Sequence, residues 1–455
     1  MIAIGLMSMG LLSPTYAFGI QSVNTLTGKI KVPSSPRCFN PNLGKKYAPT
    51  YPRVRAVATA IDLRKPIIKQ TDFSLSFAKH AISTEAKDTN FVISPLSVHI
   101  GLGMITAGSE GPTRDQLLDY LQSESVAELN SLSSKLATRF FADGLPLGGP
   151  NLSFANGIWV DRSLPLKPDF KGFFKDDFKV AVKDVDFQTK ANKVREEVNE
   201  WAYRKTEGLI IELIPSGSVN FRTRLLLANA LYFRGLWDED QFDKSVTRNR
   251  NFFLSNGKSV QVPFMSSWEN QYVRAFDDFK VATLPYKQGA DNRKFSMHIF
   301  LPDAKDGLPL PALLEKICSN SGFIQHHLPY ERVKVGNFRI PKFKVRTGIE
   351  ASGVLKGHGL DLPFSSGGLT KMVDDSAAAS KDHLCVSLFF HESFIEVDEL
   401  GSRAAVPSAL PPGFGSTPYS EWLDFVADHP FLFVIREDKS GVLLFVGQVH
   451  NPLAA

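Results

Sequence analysis

Cysteine is scarce: the 455-residue chain has three, Cys38, Cys318 and Cys385. So odd and sparse a set gives neither a disulfide framework nor metal-ligand spacing, and buried or incidental thiols are expected. No run of 18 or more apolar residues occurs, so no membrane span is expected. Acids are nearly missing from residues 1–65, where nine Lys or Arg face Asp62 alone; that segment carries +8 of a net +5, leaving −3 for the rest. The main body therefore lacks the basic footprint of a nucleic-acid binder. Catalytic signatures are also missing. There is no G-x-S-x-G, no phosphate loop, no G-x-G-x-x-G after a strand and no C-x-x-C. "HESFI" opens like a zinc-binding helix, but Ile395 stands where a second His is needed. These absences argue against an enzyme and imply neither cofactor nor metal.

The opening "MIAIGLMSMGLLSPTYA" is apolar, with Ala17 near a plausible cleavage point, but it has no basic first region. A secretory signal reads slightly ahead of a plastid transit peptide, or of a basic arm on a cytoplasmic or nuclear protein. Ordered sequence is expected from about Asp62. "TDFSLSFAKHAI" predicts a helix capped at Thr71 or Asp72, and "TRDQLLDYL" another with a capping box of Thr113 and Gln116. In "VISPLSVHIGLGMITAG" Ser94 is a cap and Pro95 suits the first turn, and apolar residues on nearly every side predict a buried helix. Gly101 and Gly103 would allow close backbone contact. "ANKVREEVNEWAYRKT" predicts a helix ended by Gly208.

Strands are predicted at "LSFANGIWV", "RLLLANALYFRG", "FKVATLPY", "FSMHIFLP" and "HLCVSLFFHESFIEVDE". "RVKVGNFRIPKFKVRT" alternates with period two, and "FLFVIREDKSGVLLFVGQVH" predicts a hairpin. The mixture predicts one large α+β domain with several sheets, about residues 62–452. One stretch fits no element. "GSRAAVPSALPPGFGSTPYSEW", residues 401–422, has no charge from Ala404 to Ser420 and is rich in small residues and proline. A loop this long in a compact domain is usually functional.

From Asp62 to Pro452 the chain resembles the serpin family, most closely plant serpins. The resemblance rests on "FVISPLSV" with "GSEGPTRDQL", "SFANGIWVD", "VNEWAYRKTEGLI", "LANALYFRGLWDEDQF", "FHESFIEVDELGSRAA" and "DFVADHPFLFVIRED" with "GVLLFVGQVHNP". It implies the serpin fold: helices around a large mixed or antiparallel main sheet, smaller sheets, and an exposed reactive-centre loop. Residues 61–453 would form the domain, with the loop at about 399–424, and residues 1–60 an N-terminal extension. The implied activity is inhibition of a serine protease, or a cysteine protease, by a monomer. The protease cleaves the loop, and the freed hinge enters the main sheet as a new strand.

By position, Ser94, Ser97, Asn156 and His391 match the family's shutter, where strands must part. Trp201 matches the tryptophan at the end of the sheet where the loop first enters, and Glu399 the base of the hinge. Gly401, Ser402, Ala404, Ala405 and Ser408 fit the family's small-residue hinge, whereas Leu400 and Arg403 replace acids and Val406 replaces a small residue. Strand alternation would turn Ser402, Ala404, Val406 and Ser408 toward the core. Pro407, Pro411 and Pro412 lack the amide an inserted central strand needs. Counting from Glu399 puts the scissile bond at Gly415-Ser416; counting back from Asp424 puts it at Phe414-Gly415. Phe414 would suit a chymotrypsin-like protease and Gly415 an elastase-like one. The proline-rich hinge leaves a second reading open, a non-inhibitory serpin whose loop is a substrate or binding element.

Overall fold

Helix α2, Pro95–Ala107, is buried along its whole length, and the layers of the molecule are arranged around it. In the computed structural model the described residues are 63–142, 144–238, 241–303, 308–373, 384–399 and 422–454. Ala60–Ala455 forms one compact unit. The Ser94 side chain accepts from the Ser97 amide, and Pro95 opens the first turn, so the cap that starts α2 is the one its sequence predicts. Gly101 lies against the Phe389 ring and Gly103 against Ser133, at distances where a Cβ would collide.

Helix α1, Arg64–Glu85, starts before the predicted caps. Thr71 lies inside it and bonds back to the Ile67 carbonyl. The Asp72 carboxylate accepts instead from the Ser321 amide, at the start of another helix. The expected capping box of Thr113 and Gln116 also does not form. Helix α3, Gly111–Tyr120, begins on Gly111 and Pro112, and the Gln116 side chain accepts from the Leu362 amide. The remaining helices among the described residues are α4 (Val126–Arg139), α5 (Pro168–Asp177), α6 (Phe187–Lys205), α7 (Leu310–Ile317), α8 (Ser321–His327) and α9 (Ala351–Gly357).

Three sheets complete the fold. Seven antiparallel strands run in the order Phe91–Ile93 (β1), Leu443–Val449 (β16), Phe431–Glu437 (β15), Phe295–Pro302 (β9), Phe279–Pro285 (β8), Gln271–Ala275 (β7) and Arg332–Val333 (β10). The predicted C-terminal hairpin is the pair β15 and β16. A four-stranded sheet runs Leu423–Val426 (β14), Val335–Pro341 (β11), Ser259–Ser267 (β6) and Arg248–Phe253 (β5). The main sheet is mixed: Phe343–Glu350 (β12), Leu388–Val397 (β13), Leu225–Arg234 (β4), Asn151–Asp161 (β2) and Ala181–Val185 (β3). The alternating run from Arg332 is thus split among all three sheets as β10, β11 and β12. Period two marks a strand but does not say which partner it will take.

The large core fills the space between α2, the back of the main sheet and the seven-stranded sheet. A smaller core lies between α6 and the front of the main sheet, around Trp159, Val198, Trp201 and Phe390. Strand β13 contributes to both by alternation. Phe389, Ile395 and Val397 enter the large core and Phe390 the small one. Gly101→Ala places a Cβ 2.7 Å from the Phe389 ring. Overpacking of this kind costs about 1–3 kcal/mol, and the expected readout is a lower denaturation midpoint with the fold retained.

Candidate functional site

In the main sheet β13 pairs with β4 in parallel, from Leu388 opposite Leu226 to Ile395 opposite Phe233. Its other neighbour, β12, is antiparallel, as is the pair β4 and β2. One parallel seam therefore lies in the middle of the sheet, and no slot is open in it. The seam's geometry still favours an insertion. A chain leaving β13 at Val397 and turning back would run antiparallel to both seam strands, replacing one parallel ladder by two antiparallel ones.

The chain leaves β13 through Asp398 and Glu399. Glu399 is buried, and its carboxylate accepts from Lys342 Nζ at 2.8 Å and from Thr247 Oγ1 at 2.9 Å. Burial opposes its ionisation, but the bonds from Lys342 and Thr247 outweigh that and hold the carboxyl below its ordinary value. The indole of Trp237 donates to the Asp398 carbonyl at 2.9 Å. Leu400, Gly401, Ser402, Arg403, Ala404, Ala405, Val406, Pro407, Ser408, Phe414, Gly415 and Ser416 lie outside the described residues.

Midway along the seam the structure brings Ser94, Ser97, Asn156 and His391 into one buried network. The Ser94 amide donates to His391 Nε2 at 3.2 Å, and Ser97 Oγ lies 3.3 Å from Nδ1. Asn229 of β4 bridges the set: its Oδ1 is 2.8 Å from His391 Nδ1, and its Nδ2 donates to Asn156 Oδ1 on β2. Ser393 Oγ lies 2.9 Å from Nε2. A backbone amide can only donate, so Nε2 accepts and the ring proton sits on Nδ1, facing Asn229. Burial lowers the His391 pKa to about 3, so the ring is neutral. The network crosses the seam, because Asn229 and His391 stand opposite each other in register.

Trp201 lies elsewhere. It is on α6 and packs edge-on against Trp159 at 5.0 Å, in the small core with Leu226, Ala228 and Phe390. Those residues belong to the half of the sheet farther from Glu399. The tryptophan that touches the hinge end is Trp237, just past β4, so the expected position of Trp201 is corrected to Trp237. Asn229, Ser393, Lys342 and Thr247 were also not found from sequence. Two of them left a signal: Asn229 is the polar residue inside "LLLANALYF", and Ser393 shares the His391 face two residues on.

A family model described as serpin (serine protease inhibitor) matches residues 68–452. Serpin-ZX of Arabidopsis thaliana is 48% identical over 395 residues, 86% of this chain and 100% of that protein. Serpin-ZXA of Oryza sativa subsp. japonica is 48% identical over 403 residues, 87% and 100% of the two. The solved native stressed conformation of Arabidopsis AtSerpin1 has 47% identity and a TM-score of 0.79, covering 86% of this chain and 99% of that one.

Protonating His391 would set an N–H against the Ser94 N–H. Its folded-state pKa lies below the ordinary value of 6.5, so on acidification the unfolded chain takes up the proton first. Stability from this group is complete above pH 6.5 and lost as pH falls toward 3. At pH 5 the loss is about 2 kcal/mol, from 1.36 kcal/mol per pH unit. Denaturation midpoints measured from pH 7 to pH 4 are expected to fall, with a shallower fall in His391→Gln.

Proposed function

The chain belongs to the serpin family of serine protease inhibitors, and on that premise we propose that it traps its target by inserting residues 401–411 into the β4–β13 seam. It is an inhibitor and not an enzyme, and its partners are proteases. The parallel seam beside the chain exit from β13 is the observation that carries this reading. Residues 61–453 act as one inhibitory domain, residues 1–60 as an extension, and the working unit is a monomer.

A two-residue turn at Glu399 and Leu400 would place Gly401 beside Asp398. Antiparallel counting then puts Ser402 beside Val397, Ala404 beside Ile395, Val406 beside Ser393 and Ser408 beside His391. Every one of those β13 residues is buried on the side facing the large core or the Ser94 network. Small residues at 402, 404 and 408 suit that packed side. Arg403 falls beside Glu396, an opposite charge already paired with Lys344. For entry to begin, the Glu399 contacts with Lys342 and Thr247 must give way at the hinge end, with Trp237 beside them. Lower down, Ser94, Ser97, Asn156, Asn229 and His391 act as the shutter whose bonds must be exchanged.

The chemistry belongs to the protease. Its hydroxyl adds to the carbonyl of Phe414 or Gly415 and expels the amine of the next residue, leaving an acyl ester. Insertion of the freed strand carries that ester away from its starting position before water can cleave it. The outcome is a race between insertion and hydrolysis. Pro407 falls beside Glu392 and Pro411 beside Leu388, and neither can donate to a ladder. Each missing bond costs about 1 kcal/mol, more where a buried carbonyl is left alone. We infer that these prolines slow the lower part of insertion, so a sizeable share of encounters ends in plain cleavage.

The test is to mix the full chain with a chymotrypsin-like, an elastase-like and a papain-like protease and look for an adduct that survives detergent. The expected result is an adduct with a serine protease, alongside cleaved protein. Mass measurement of the released C-terminal fragment reads the bond, starting at Gly415 or Ser416. Pro407→Ala is expected to raise the ratio of adduct to cleaved product about fivefold, the factor that about 1 kcal/mol gives. Cleavage with no adduct in either protein supports the alternative, a loop that serves as a substrate or binding element.

A further inference from the structure

Three helices meet at one imidazole, that of His358. The residue is the C-cap of α9, and its Nδ1 lies 2.7 Å from Tyr120 Oη on α3. Its Nε2 lies 3.1 Å from Ser76 Oγ on α1. One turn along α1 from Ser76, His80 lays its ring against that of His358, with centroids 4.9 Å apart and planes inclined by 36°. The Nε2 of His80 is buried and has no hydrogen-bond partner. This close approach suits a glycine on α9: at Gly357 a Cβ would lie only 3.1 Å from that nitrogen.

The groups packed around the two rings offer no counter-charge. On α1, Lys79 adds a cation, already paired with Glu315 of α7. On α7, burial pushes the Cys318 thiol up to about 12. On α2, burial lowers the His99 pKa to about 3, so that ring is neutral. On α3, burial raises the Tyr120 phenol, which is neutral as well. On α9, Lys356 lies over the Phe364 ring. Glu350 is occupied at the other end of α9 by the Ser352, Gly353 and Phe389 amides. Among the described residues the histidines paired with a carboxylate are His298 and His429, elsewhere in the fold. Burial, and then the neighbouring His80 and Lys79, hold the His358 ring below its ordinary value of 6.5.

We propose that His80 and His358 form an acid-sensitive joint between α1 and α9, closed while the pair carries at most one proton and forced open when both rings are charged. The hydroxyls do not oppose charging. A neutral His358 has one N–H, so one of Tyr120 and Ser76 donates to it and the other accepts. In the charged ring both nitrogens donate, and both hydroxyls can accept. The opposition comes from the second ring, because two like charges so close and partly out of water repel. Stability from the joint is therefore complete above pH 6.5 and lost as pH falls below it. The helix it secures has seven residues, too few to persist alone. Just past its end the amides of His358, Gly359 and Leu360 turn back onto the Val354, Lys356 and Leu355 carbonyls. Gln116 adds only a long bond to the Gly359 carbonyl, at 3.4 Å. Acid opens this turn without parting any sheet.

The test follows amide exchange of His358, Gly359 and Leu360 in the full chain, as protection relative to an unfolded amide at the same pH. These amides exchange by local opening, so the global effect of His391 does not enter. Their protection is expected to fall about tenfold between pH 7 and pH 5, and less than about threefold in His80→Gln. That variant removes the second imidazole and none of the bonds to Tyr120 and Ser76. Ring-proton resonances supply a readout that packing alone does not move. The titration midpoint of His358 is expected to rise by about one pH unit in His80→Gln, because the competing charge is gone. His358→Gln gives the reciprocal reading on His80 if the first variant fails to fold. A midpoint that stays put when the partner ring is removed, or an equal fall in protection in wild type and variant, overturns the joint.

Discussion

The whole arrangement depends on the direct hydrogen bonding of β13 to β4. These strands are parallel neighbours in a sheet whose adjoining pairs are antiparallel. Parallel pairing is slightly weaker per residue, and nothing in the chain's connectivity requires β4 and β13 to touch. A strand placed between them would gain two ladders for the loss of one. The segment best placed to supply it leaves from the end of β13 itself. On the insertion reading, the native state is one in which a better-bonded arrangement is kept out of reach by a barrier, and its persistence is kinetic.

The barrier has identifiable parts. At the hinge end a buried carboxylate, Glu399, is tied to Lys342 and Thr247. Midway, His391, Asn229 and Asn156 pass one chain of hydrogen bonds from β13 through β4 to β2, and Ser94 and Ser97 anchor it to α2. Buried polar groups of this kind are costly to separate and cheap to leave in place. The neutral ring of His391 is central because both of its nitrogens are committed. On the other face of the sheet the α6–β4 connector spans the same two strands. On the insertion reading proposed above, these contacts give way in sequence from the hinge end downward.

Much of the frame was legible in sequence because it depends on local rules. Ser94 and Pro95 mark the start of α2, and the unbroken apolar run at Leu225 reads as a strand covered on both faces. The terminal hairpin shows as two apolar runs around a short polar turn. What stayed hidden depends on partners distant in the chain. The run from Arg332 to Thr347 shows a single alternation, yet its pieces join three different sheets. Thr113 and Gln116 satisfy a capping pattern, but Gln116 finds the Leu362 amide instead. Trp201 and Trp237 both stand in recognisable signatures, and only the folded sheet shows which one meets the hinge. His391, Ser94, Ser97 and Asn156 could be named one by one, whereas Asn229, which joins them, was hidden inside an apolar strand.

The central claim is that the intact protein is held short of its most stable arrangement. The most direct measurement is the denaturation midpoint before and after one proteolytic cut in the loop between residues 412 and 418. If the freed segment joins the β4–β13 seam, the cut protein unfolds at a distinctly higher temperature than the intact one. An unchanged or lower midpoint would mean that the seam does not accept the loop, and would contradict the account.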